Sequence, residues 1–206
     1  GVWQLQRLSW KQGILSEIET RIAAAPVALP DMPDPERDKF LPVTATGEVT
    51  SDEIHVLVSQ KQVGAGYRVI SAFILDDGRR VLLDRGFIKV DQKQAARPTG
   101  NATVQGNLHW PNETGSSIPQ PDLKAEIWFA RDVPAMAQHL GTDPVLIVAR
   151  ETSFEQDTVS PLPVDGAGIP NDHLQYAITW FSLAAIWLLM TLTFLWRARS
   201  TQKGSS

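Results

Sequence analysis

An imidazole stands at the entrance to the longest uncharged stretch of the chain. His173 lies just before Tyr176–Trp196, a run without a single Asp, Glu, Lys or Arg. Asp172 is a good helix N-cap, and Gln175 follows at capping-box spacing, so His173 becomes the first helical residue. The positive end of a helix dipole disfavours imidazolium and keeps such a histidine neutral, the form that ligates iron. In a helix His173, Ala177, Trp180, Ala184, Trp187 and Thr191 recur at intervals of four and three and share one stripe. Two readings of that stripe stay open. In one, a porphyrin slots between helices, with His173 as an axial ligand and Ala177, Trp180 and Trp187 as flat walls. In the other, the small residues seat a neighbouring helix, the tryptophans are interfacial anchors, and His173 is a polar residue at the boundary.

Other reactive residue types are sparse. There is no cysteine, which excludes disulfides, thiolate metal sites, covalent haem attachment and cysteine nucleophiles. His55, His109 and His139 are not paired at metal-ligand spacing and are expected to be structural. Asp76 and Asp77 read as turn chemistry, and Asp84 with Arg85 as a cross-strand ion pair. Arg85 and Gly86 could also mark a constrained bend that presents the domain to a partner. Gly64-Ala65-Gly66 lacks the helix and Lys-Ser/Thr of a phosphate loop, and Ser153, Ser160 and Ser182 lie in no nucleophile elbow. No nucleophile, base and oxyanion site can be assembled, so the chain is expected not to be an enzyme. The net charge of −4 comes without a basic stripe, which argues against nucleic acid.

The elements that must position these residues follow from the pattern. About 20 apolar residues cross a bilayer as a helix, so 171–197 is expected to be a transmembrane helix and 198–206 a tail. Arg197, Arg199 and Lys203 follow the span, whereas Ser153–Asp172 holds no Lys or Arg. The tail is therefore expected in the cytoplasm and the preceding domain outside it. Leu5, Leu8, Leu15, Ile18 and Ile22 share a face, so 1–25 reads as a juxtamembrane amphipathic helix stopped by Pro26. Its Arg7, Lys11 and Arg21 could meet lipid headgroups, or simply face solvent. Between them, 26–170 reads as an α+β domain rich in antiparallel sheet, with a small barrel as one arrangement of it. Strands are expected near 40–49, 54–59, 67–75, 80–90, 103–110, 127–130 and 144–149, with a hairpin turn at Asp76-Asp77-Gly78 and a short helix capped by Asp132.

Three stretches together carry a family resemblance. The first is Gly1-Val2-Trp3-Gln4-Leu5-Gln6-Arg7 with Trp10-Lys11. The second runs from Gly66-Tyr67-Arg68-Val69 through Asp77-Gly78 to Val81-Leu82-Leu83-Asp84-Arg85-Gly86. The third is Asn171-Asp172-His173-Leu174-Gln175-Tyr176-Ala177 with Thr179-Trp180-Phe181. In this order and spacing the chain resembles the Surfeit locus protein 1 family, assembly factors of cytochrome c oxidase. Phe87 stands where a tryptophan often follows Arg-Gly, and Pro42–Gly47 replaces a more basic run.

The resemblance implies an extracytoplasmic domain between two transmembrane helices. Trp3, Gln4 and Arg7 would then sit at the outer end of the first span, which this chain is expected to lack. It further implies haem a as cargo, with His173 as the axial ligand, held without covalent attachment. The implied partners are the oxidase catalytic subunit, the haem a synthesis enzymes and membrane lipid. The implied location is an inner membrane, bacterial in preference to mitochondrial. A structural scaffold that binds nascent oxidase subunit without haem is the alternative.

Overall fold

The computed structural model describes residues 2–60, 63–155, 158–164, 179–184, 186–191 and 193, with side chains at 10 and from 13 onward. The chain divides into two compact units, Ile18–Asp165 and Gly1–Glu17 with Gly166–Ser206. In chain order the elements are α1 (Val2–Ile22), β1 (Val27–Ala28), β2 (Pro42–Gln60), β3 (Gly64–Leu75), β4 (Arg80–Lys89), β5 (Gly100–Leu108), β6 (Ile127–Trp128), α2 (Val133–Leu140) and β7 (Leu146–Thr152), with a 3-10 turn at Val90–Gln92.

In the Ile18–Asp165 unit the strand order is β1-β2-β3-β4-β7-β5, and β5 pairs back onto β2 from Pro42↔Asn107 to Val49↔Gly100. Five strands thus pair in a closed cycle, the connectivity that a barrel-like sheet requires. The sheet is mixed. Its long ladders are antiparallel, but β1/β2, β2/β6 and β4/β7 pair in parallel over two or three residues each. Two separate strands were expected at 40–49 and 54–59, and they are one. Thr50-Ser51-Asp52 contains no Gly or Pro to break the strand, so a register shift between Val49 and Glu53 bends it instead. Before the bend Pro42–Val49 pairs with β5, and Gly47–Val49 also pairs with β3; after it Glu53–Gln60 pairs with β3.

All five ring strands contribute to one cluster. Val43 and Val49 of β2, Phe73 of β3, Leu83 of β4, Val104 and Leu108 of β5 and Ile147 of β7 are fully buried together. The opposite faces supply a second cluster, where Ile54, Ile70, Leu82, Leu146 and Trp128 pack against Met136 and Ala137 of α2. Each large apolar side chain so buried contributes about 1.5–3 kcal/mol. α2 has the ends its sequence dictates. The Asp132 side chain accepts from the Ala135 N–H, and Gly141 closes the helix at φ 62°.

α1 keeps the expected apolar face where side chains are described. Leu15, Ile18 and Ile22 are half-buried, and their neighbours are exposed. The helix stops at Ile22, short of Ala25. The Ile22 carbonyl accepts from Asn107 Nδ2 (3.1 Å) and Arg150 Nη1 (3.2 Å), which satisfies the helix end and holds it to the sheet. In the C-terminal segment residues 179–184, 186–191 and 193 are helical. Among the described residues no helix is long and apolar enough to cross a membrane. Most of the rest of the expected span at 171–197 lies outside the described residues.

Candidate functional site

β4 is buried on both faces, from Val81 to Phe87 and on to Ile88. Side chains alternate along a strand, so Asp84 falls on the face of Leu82 and Arg85 on the face of Leu83. A carboxylate in such a place needs cations, and two arginines supply them. Arg68 Nη1 on β3 donates to Asp84 Oδ2 at 2.6 Å, and Arg131 Nη1 stands 3.5 Å from the same oxygen. Asp84 Oδ1 accepts from the Gly86 N–H at 3.1 Å. Burial pushes the Asp84 carboxyl above the ordinary carboxylate range, against the pull of Arg68 and Arg131. Arg131 also grips Glu113, through Nε and through its own backbone N–H. Arg85 is 2% exposed, and its guanidinium lies 5.5 Å from the Phe154 ring centre. The expected cross-strand ion pair forms for Asp84, with Arg68 of β3 as its partner; Arg85, at the register shift between β3 and β4, lies over Phe154 instead.

Gly86 has a second task. Its φ is 124°, and a Cβ there would come 2.1 Å from the Ser160 carbonyl oxygen. The close approach admits a strap, residues 158–164, along β4. Phe87 and Ser160 exchange backbone hydrogen bonds of 2.7 and 2.9 Å. Val159 is buried against Tyr67, Val69 and Ile88. Arg68 Nη1 reaches beyond Asp84 to the Leu162 carbonyl at 3.1 Å. One arginine thus joins the buried carboxylate to the strap, and the strap runs directly into 165–173 in sequence. The expected bend at Arg85-Gly86 is where the 158–164 strap is fastened to β4.

The remaining sequence-flagged residues divide plainly. His173 and Ala177 lie outside the described residues. Trp180 and Trp187 lie in the helical stretches 179–184 and 186–191, and are 67% and 69% exposed. Trp3, Gln4 and Arg7 lie in the first turns of α1, where side chains are outside the described residues. Arg21 donates to the Arg37 carbonyl and so is tied to its own domain.

Asp77 accepts from Arg79 through both oxygens, as turn chemistry requires, and Asp76 from Thr46. His109 stacks on Phe40 at 5.3 Å; burial, with Arg131 and Lys39 nearby, lowers its pKa to about 4 and leaves it neutral. His55 is 3% exposed beside Glu53 and Arg97, at the edge of a polar cleft of about 480 Å³. Burial raises the Glu53 pKa, but hydrogen bonds from His55 and Arg97 outweigh it and hold the carboxyl at about 2. Arg97 is occupied, since it also donates to the Gln92 and Lys93 carbonyls. Among the described residues no group of three or more His, Cys, Asp or Glu could hold a metal ion.

Sequence reasoning missed Arg131, Glu113, Glu53 and Arg97. The available signal was Asp84 itself, a lone acid inside Val81–Ile88 that must find a cation.

The SURF1 family model matches residues 1–185, a range that takes in the Asp84 corner, the strap and the His173 motif. Surfeit locus protein 1 of Xenopus tropicalis is 31% identical over 98% of this chain and 72% of its own length. Surfeit locus protein 1 of Homo sapiens is 28% identical over 95% of this chain and 71% of its own. The SURF1-like protein of Drosophila melanogaster is 29% identical, with 95% and 71% covered. With nearly its whole length matched, this chain belongs to the SURF1 family.

Proposed function

We propose that this chain is a membrane-anchored assembly factor for cytochrome c oxidase, acting stoichiometrically and not as an enzyme. Family membership over residues 1–185 carries the reading, because the resembled family has that role and the matched range includes the Asn171–Ala177 motif. The finer proposal is that His173 holds haem a on its way to the oxidase catalytic subunit. Asp172 and Gln175 stand at capping-box spacing around it, a pattern that favours a neutral imidazole, and Trp180 and Trp187 offer flat exposed faces one heptad apart. With no cysteine, the cargo is held non-covalently and can be handed on. Haem a supplies the oxidase with its redox chemistry; this chain supplies a ligand, apolar walls and a mount. The uncharged run supports a span at 171–197, and the Lys/Arg that follow it support the sheet domain outside and the tail in the cytoplasm. The proposed location is an inner membrane, with the proline-spaced loops favouring a bacterial one. Haem a synthesis enzymes and membrane lipid are the further partners.

The strap favours a second reading. Ser160 and Leu162 fasten the chain to β4 before it reaches His173, which suits a scaffold that presents the sheet domain to a nascent oxidase subunit without haem. Complementation separates the two. In cells deprived of their own family member, His173→Ala should leave oxidase haem a content near the level without complementation if His173 carries haem. Restoration to the parental level would favour the scaffold. A parental chain that restores nothing would overturn both.

A further inference from the structure

Two clefts meet at one tryptophan beside α2. The smaller, about 140 Å³, has Ile118, Pro119 and Pro121 on one wall and Ala135 on the other. The larger, about 530 Å³, continues past Leu123 to His139. Pro121, Trp128 and Ala135 line both. Ile118 and Leu123 are 38% and 58% exposed, so the rim offers apolar surface to solvent. The floor differs. Trp128 is 3% exposed, stands edge-on to His139, and its buried indole N–H has no hydrogen-bond partner among the described residues. Leaving a buried donor unpaired is unfavourable, and an acceptor brought by an occupant relieves it. Among the described lining residues the one carboxylate is Asp132, already engaged in capping α2.

We propose that this groove binds an extended, uncharged peptide segment of a partner protein. The segment seats one apolar side chain in the smaller cleft and gives a backbone carbonyl to the Trp128 N–H as the 118–121 wall parts. An apolar cavity of about 150 Å³ holds a benzene-sized group, so the smaller cleft takes a single proline-, leucine- or phenylalanine-sized side chain. Aromatic-lined grooves are surfaces on which extended, proline-rich peptides dock. The near absence of charge selects against acidic or basic segments. An acyl chain would fill the same walls but bring no acceptor for the indole. The proposal does not depend on haem.

The test uses the full chain, labelled with fluorotryptophan and held in phospholipid nanodiscs. It is titrated with the blocked peptide acetyl-Leu-Pro-Leu-Pro-amide and followed by fluorine NMR, the Trp128 resonance being assigned by its loss in Trp128→Phe. The expected result is a saturable shift of Trp128, with the resonances of Trp180 and Trp187 unmoved. Ala135→Phe, which fills the smaller cleft, and Leu123→Asp, on the exposed rim, should each weaken binding several-fold. A Trp128 resonance that stays put up to the solubility limit of the peptide overturns the proposal. So does a shift that both variants leave intact. An equal shift with n-hexane, which carries no acceptor, would assign the groove to acyl chains and overturn the proposal, and a shift with protein concentration alone would assign it to a second copy.

Discussion

The turn before β4 and the middle of the strand carry the same residue types and behave oppositely. In the turn, Asp77 and Arg79 pair in the open, with side chains 49% and 24% exposed. In mid-strand Asp84 pairs with Arg68 at 0% and 13% exposure, and a second arginine joins. An exposed pair is screened by water and spends side-chain entropy to form, whereas a buried carboxylate stripped of its cations or its charge leaves groups that nothing else can satisfy. Location, not composition, decides which acid–base pair holds the domain together. Glu53, with 17% of its side chain exposed, stands between the two.

The largest effect should come from the buried pair. Asp84→Ala leaves Arg68 with the Leu162 carbonyl and Arg131 with Glu113, and should destabilise the domain by about 3–5 kcal/mol in denaturant unfolding. A loss no greater than that of a surface variant would erase the contrast between the two pairs. Next is Gly86→Ala. Backbone strain at φ 124° costs about 1–3 kcal/mol, and the new Cβ drives the strap off β4. Hydrogen exchange at the Ser160 N–H should accelerate in the variant while exchange in β5 stays slow.

A pH titration sharpens the intermediate case. The Glu53 carboxyl is held at about 2 in the fold against an ordinary 4.5, so its contribution is complete above pH 4.5 and disappears as pH falls toward 2. That contribution is on the order of 2–3 kcal/mol. Glu53→Gln should flatten this acid limb of the stability profile, and an unchanged limb would mean that another group sets it. The smallest effect belongs to Asp77→Ala, whose melting midpoint should match the parent within the error of the measurement.

Much of the scaffold could be read from the chain. The Asp76-Asp77-Gly78 turn, the Asp132 cap and the apolar face of α1 are local, and local chemistry decides them. Pairings across sequence distance could not be read. Arg68 meets Asp84 across 16 positions, and Arg97 meets Glu53 across 44. Such contacts depend on which strands become neighbours, and that in turn depends on the bend in β2. Parallel pairing of β4 with β7 was hidden for the same reason, because Leu146–Val148 reads as any apolar strand. The groove at Trp128 gave no periodic signal, since Pro119 and Pro121 look like ordinary loop residues until α2 packs beside them.

The motif at His173 is the reverse case. Its reading as a haem ligand is a proposal built on the sequence and the family resemblance, and it is open to direct test. The visible absorption spectrum of the detergent-purified chain, co-expressed with the haem a synthesis enzymes, should show the Soret and α bands of haem a. Both should vanish in His173→Ala. A colourless, folded parent from cells that make haem a would contradict haem carriage.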